Sequence, residues 1–374
     1  MGMRCVPTPA VKGSIHPERA NFDDVRHLGR RFASARVREV PLLRAAELDQ
    51  RADPSGGTRV WLALEALQVT GSFHVRGALV ALERIAATAK DGLIVAPSAG
   101  NHGVAIAYAA CVLGMSATVV VPRTTARTKR EKIERYGAEL VVAATDLYRD
   151  AEALAIEIAF SQGAAFVAPA ADVDLVLANG GSLGIEIVRA LGRVPERVLA
   201  PLGDGGLATG LAWAFSADAH AHPDRTVWGV HPEARWTTGV WLDSEDPVNH
   251  IDADAPTLAE ELGPGMSAEG MAQARAALAG IVVAQEAEIA AAMAHAYHDM
   301  GIVLEGSAAV ALAPVLFGLP AHVRGGNLVV VLTARNVDPE RLDAVLVRAS
   351  LATTSKADGS SSHPEGGSSR HRET

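Results

Sequence analysis

The residue types able to do chemistry fall in four short stretches. His74 sits in Thr70-Gly71-Ser72-Phe73-His74-Val75-Arg76. An imidazole titrates near neutral pH and so is a candidate general base. Ser72 can cap a helix starting there and leave free N–H groups facing an anion. The same spacing also reads as a plain strand-to-helix joint. The second stretch is Ser98-Ala99-Gly100-Asn101-His102-Gly103. Its small residues let backbone N–H groups approach a carboxylate or phosphate, helped by the dipole of the helix that follows. His102 reads equally as a hydrogen-bonded helix-start residue or as a proton carrier. The third, Gly203-Asp204-Gly205-Gly206-Leu207, is a glycine turn of the kind that forms a backbone nest for phosphate. Asp204 is expected to turn its charge to solvent. The fourth, Thr333-Ala334-Arg335-Asn336, follows an apolar run. It puts a hydroxyl and a long cation at a strand end, where open α/β sheets have their ligand crevice. Arg335 can equally lie in solvent.

Such groups need a scaffold to converge. Apolar, β-rich runs at 59–64, 93–96, 118–121, 140–143, 198–201, 227–230 and 328–332 alternate with helical patterns, which predicts an α/β protein with parallel sheets. The charged stretch 127–136 predicts a helix stopped by Gly137, completing a βαβ unit. Hydrophobic residues make up 49% of the 374 residues and aromatics only 4%, so the core must be mainly Ala, Val, Leu and Ile, as in layered α/β folds. A net charge of -9 without a basic block gives no footprint for nucleic acid or an anionic membrane. No apolar run reaches a membrane span, and no leader is evident. Two cysteines, Cys5 and Cys111, make no disulfide framework, which favours the cytosol; Cys111, inside an apolar helical run, is expected to be buried. Residues 353–374 are Ser/Gly/His-rich and predict a disordered tail.

Taken in order, these stretches resemble the tryptophan synthase β superfamily, the fold-type II pyridoxal-phosphate enzymes, in its threonine/serine dehydratase branch. Residues 62–78 are similar to that family's LKxENLQxTGSFKxRGA signature, differing at Ala63, Ala66 and His74. Leu177 to Glu186 is similar to its AGQGT-type segment, and Leu304 to Ala308 to its LEPSG helix start. The resemblance spans roughly residues 40–346. It implies a large domain of 12–79 and 169–350, a small inserted domain of 80–168, and a site in the cleft between them. It further implies that Gly203, Asp204, Gly205, Gly206 and Leu207 face the cofactor phosphate, that Asn101 and Phe73 lie at the cofactor ring, and that Thr333 bonds the pyridine nitrogen. Ser98, Ala99, Gly100, Asn101 and His102 would hold the substrate carboxylate, with Arg335 within reach. Some relatives hold a divalent metal where this chain has His231 and Thr237, so no metal is carried over.

The resemblance puts His74 where the family keeps the lysine that forms an imine with the cofactor and shuttles the Cα proton. Imidazole forms no such imine. Lys12, Lys90, Lys129, Lys132 and Lys356 lie outside the matched motifs. Three accounts stay open: a diverged lyase using His74 as base with pyridoxal phosphate non-covalent or absent, an engineered lysine replacement, and a non-catalytic ligand-binding protein. Departures at Ala63, Ala66, His231 and Arg335 favour divergence. The implied reaction is elimination or replacement at the β-carbon of a hydroxy-amino acid or related small substrate, in a cytosolic homodimer. Trp236 and Trp241 are read as specificity-pocket residues or as core or interface residues.

Overall fold

The computed structural model describes residues 5–7, 32, 35–88, 92–167, 173–217, 226–235, 256–262, 266 and 268–358. In chain order its strands are Cys5–Pro7 (β1), Leu42–Arg44 (β2), Thr58–Ala63 (β3), Leu93–Pro97 (β4), Ser116–Val121 (β5), Glu139–Val142 (β6), Ala165–Phe166 (β7), Arg197–Pro201 (β8), Val227–Pro232 (β9), Gly280–Ala284 (β10) and Gly326–Val331 (β11). The helices that bear on the site are Val75–Thr88 (α1), Asn101–Leu113 (α2), Arg127–Arg135 (α3), Tyr148–Gln162 (α4), Ser182–Leu191 (α5), Gly206–Ser216 (α6) and Pro339–Asp358 (α7).

The strands form a seven-stranded sheet, ordered β1-β10-β9-β8-β11-β3-β2, and a four-stranded sheet, ordered β6-β5-β4-β7. Pairing is parallel throughout except at the outer strands β1 and β2 of the larger sheet. Every residue of β9 and β10 is buried, as expected of central strands covered on both faces by helices. The period of two along a strand is visible in the packing. Val60, Leu62, Leu199, Leu328, Val330 and Leu332 enter one core. Their neighbours Ala63, Val198, Ala200, Val329 and Val331 enter another on the opposite face. A third core joins α1 and α2 to the smaller sheet.

The first turns of α6 are set by a close helix crossing. A Cβ on Gly180 would fall 2.1 Å from the carbonyl oxygen of Leu207, and one on Gly210 would fall 2.3 Å from that of Val176. Only glycine allows this approach, and it holds α6 against the π-helical turn Leu177–Gly181.

Two expectations need correction. Cys111 is exposed, because the buried stretch of α2 stops at Ala110 and the last turn emerges before Gly114 ends the helix. Residues 353–358, expected in the tail, continue α7 to Asp358; residues 359–374 lie outside the described residues. Trp236, Thr237, Trp241, Lys12 and Lys90 also lie outside them. No helix among the described residues is long and apolar enough to cross a membrane.

Candidate active site

His74 stands at the joint between the larger sheet and α1. The joint is fixed by an isolated bridge between Ser72 and Ala334 and by the Phe73 N–H, which donates to the carbonyl of Thr333 at 3.2 Å. Two residues further on, the guanidinium of fully buried Arg76 locks the start of α1. It donates to Glu65 at 3.0 and 2.8 Å, to Glu186 at 2.8 and 2.7 Å, and to the Ser182 hydroxyl at 3.1 Å. The His74 ring packs against Phe73 with centroids 4.0 Å apart, and its Nδ1 is buried without a hydrogen-bond partner. Burial lowers the His74 pKa, against the pull of Glu261 and Asp204 in the other direction. The ring is therefore neutral at pH 7.

The loop at the start of α2 is organised by Ser98, whose hydroxyl accepts the N–H groups of Gly100 at 2.9 Å and Gly103 at 2.7 Å. Asn101 is buried and fully engaged. Its N–H donates to Glu261 Oε1 at 2.9 Å, and its Nδ2 donates to Glu261 Oε2 and Glu305 Oε1, each at 2.7 Å. Its Oδ1 accepts from Asn336 Nδ2 at 2.6 Å. His102 Nε2 lies 3.5 Å from the carbonyl of Val167. Burial, and after it His74, pushes the His102 pKa down to about 4, so the ring is a neutral helix-start residue.

Phe73, His74, Ser98, Ala99, Gly100, Asn101, His102, Thr333 and all of 203–207 line one cavity of about 540 Å³. Arg335 does not. The Ser72–Ala334 bridge turns Ala334 toward the cavity and ties the Arg335 N–H to the carbonyl of Gly71 at 3.0 Å. The guanidinium instead lies near Lys132; burial and then this neighbour lower the Lys132 pKa to about 8. Asp204 is exposed, but it also lines the cavity, and its Oδ1 accepts the N–H of Gly206 at 2.9 Å.

The sequence did not single out Glu261, Glu305 or Lys129 as site residues. The first two line the cavity, and the Lys129 ammonium is bonded to Glu261 and lies 3.7 Å from Glu305. Burial works against the charge on Lys129, but the two carboxylates outweigh it and hold its pKa above the ordinary value. Burial raises the Glu305 pKa to about 7, with Glu261 adding to the effect. Burial acts on Glu261 the same way, but Lys129, His74 and its hydrogen bonds prevail and keep the pKa below the usual value. Helix phase is the one sequence signal for Lys129: it shares the buried face of α3 with Ile133, one turn on. Among the described residues no lysine lines the main cavity, and no group of His, Cys, Asp and Glu is arranged to hold a metal ion.

The pyridoxal-phosphate dependent enzyme family matches residues 33–334. An L-threonine ammonia-lyase of Thermotoga maritima is 31% identical over 293 residues, which is 78% of this chain and 70% of that protein. One from Geobacter sulfurreducens is 30% identical over 321 residues, 85% of this chain and 76% of that protein. Among solved structures, a threonine deaminase from T.th. superposes with a TM-score of 0.73 at 30% identity, covering 85% of this chain and 99% of that one. Maize serine racemase, at 20% identity and a TM-score of 0.76 over 90% of this chain and 99% of its own, shares the fold. The two-sheet architecture and a match running from before the first cleft residue to the last strand end lead to one assignment: this chain belongs to the fold-type II pyridoxal-phosphate dependent enzymes, in the threonine/serine dehydratase-like branch.

Proposed function

We propose that the chain is a dehydratase-type lyase in which His74 takes the place of the family lysine as general base. In the reaction read here the imidazole accepts the proton on the carbon bearing the substrate amine. The electron pair left behind forms the new carbon–carbon double bond, and the group on the neighbouring carbon leaves with its bonding pair. The observation that carries this reading is the lining of the cavity: an imidazole whose Nδ1 has no hydrogen-bond partner, and no lysine among the described residues that line it.

The residues present do not fit pyridoxal phosphate held as a lysine imine. Gly203, Gly205 and Gly206 line the cavity, but the Gly206 N–H is already bonded to the Asp204 carboxylate. The Asn101 side chain is spent on Glu261, Glu305 and Asn336. We read the cofactor as untethered at most. Histidine is a weak base for an ordinary amino-acid Cα–H, so the substrate must supply an acidifying group beside that carbon. The working form is read as a cytosolic homodimer acting on a small amino-acid-like molecule, since closed twofold dimers are the commonest soluble oligomers. Sedimentation as a monomer throughout would remove that part.

Incubation with pyridoxal phosphate followed by borohydride tests the reading. The expected result is no pyridoxyl group on the protein; in His74→Lys a reducible yellow adduct at position 74 is expected only where the rest of the pocket still accepts the cofactor. An adduct on a lysine of the unmodified chain, with Lys132 the first to inspect, would overturn it. Loss of turnover in His74→Ala is the companion result; equal turnover would reduce His74 to a packing residue.

A further inference from the structure

We propose that Glu261 determines the specificity of the cleft: its carboxylate fills the anion seat at the start of α2, so the ligand is an amine whose adjoining carboxylate is masked as an amide or ester. The seat is the N-terminus of a 13-residue helix, where free N–H groups and the helix dipole favour a negative charge. Glu261 takes it with both oxygens, one on the Asn101 N–H at 2.9 Å and the other on Asn101 Nδ2 at 2.7 Å. Lys129 is bonded to the same carboxylate. Two further loop donors, the N–H groups of Gly100 and Gly103, are satisfied by the Ser98 hydroxyl. Space is committed as well as charge. A Cβ on Gly100 would lie 2.0 Å from Glu261 Oε1, so the absence of a side chain there is what lets the carboxylate seat itself.

A free amino acid would bring a second carboxylate to a lining that, among the described residues, already holds Glu152, Asp204, Glu261 and Glu305 against Arg149 as its one lysine or arginine. Like charges at close range are costly in a partly desolvated site. An amino-acid amide or ester removes the conflict and carries a net positive charge suited to the same carboxylates. The masking also meets the chemical requirement set by His74. A carboxylate, already anionic, resists carbanion character on the adjacent carbon, whereas a neutral amide or ester carbonyl accepts it. This last point rests on the lyase reading; the argument from the filled seat does not.

The test is calorimetric titration of the full chain with L-serine and L-threonine against L-serinamide, L-threoninamide and the two methyl esters. Binding, not turnover, is the readout, so failure of the lyase reading leaves the result interpretable. The expected outcome is at least a tenfold preference (~1.4 kcal/mol) for the masked ligands in the natural chain and in His74→Ala, closing or reversing in Glu261→Gln. Free acids binding as tightly as the amides, an unchanged preference in Glu261→Gln, or no binding of either class would overturn the proposal. Should Glu261→Gln not fold, the comparison in the natural chain decides alone.

Discussion

At position 74 the surroundings matter as much as the ring. Burial depresses the His74 pKa, while Glu261 and Asp204 pull it back up. Followed by NMR, the imidazole should titrate below the ordinary value near 6.5, and Asp204→Asn should move the midpoint lower still by removing an anion. A midpoint at or above 6.5 would contradict the desolvated setting. Between the two values the unfolded chain binds more protons than the folded one, so this residue's contribution to stability rises with pH. His74, Asn101, Thr333 and the glycine loop were legible in the sequence because each lies within a short motif at a strand–helix junction. Glu261 and Lys129 were not. They are 132 residues apart, and neither stands in a stretch whose local pattern asks for a buried charge.

The element that bears His74 is the joint from β3 into α1, and Arg76 fixes it. Arg76→Met would leave Glu65 without its partner in a site neither side chain exposes. Removing one member of a buried pair typically costs about 3–5 kcal/mol. Urea unfolding should show a loss of that size; a loss under about 1 kcal/mol would mean the clamp is dispensable. The seven strands expected from apolar runs all form, shifted by a residue or two at their ends. β1, β2 and β7 escaped notice because two or three residues are too few to show a period of two. β10, Gly280–Ala284, escaped for another reason: a five-residue apolar run between Ala-rich helices has no periodicity to distinguish it from either neighbour.

On the scale of the molecule, the two sheets are held across the cleft by α3. Asp338, before α7, accepts the N–H groups of Arg127 at 3.1 Å and Thr128 at 2.7 Å, so this helix is capped by a residue from the far side of the cleft. Asp338→Ala should cost about 0.5–2 kcal/mol, the usual worth of an N-cap, read as a drop in Tm at neutral pH. Burial opposes ionisation of Asp338, but its bonds to Thr128 and Arg127 prevail and lower its pKa. Its contribution is then present above the unfolded value near 3.8 and lost as pH falls through the folded one. The Tm gap between natural chain and variant should close in acid; a constant gap would argue against capping as the cause. The sheet order has a consequence for the order in which the protein comes off the ribosome. All strands of the four-stranded sheet lie within residues 93–166, but β3 finds its partner β11 only across a gap such as the 266 residues between bonded Trp61 and Asn327. The smaller sheet can be complete while β3 still waits for its neighbour, since contacts distant in sequence form late. A nascent chain stopped before Gly326 would carry His74 beside a strand paired with β2 but still without β11, so the joint that bears His74 is among the last parts of the molecule to be made.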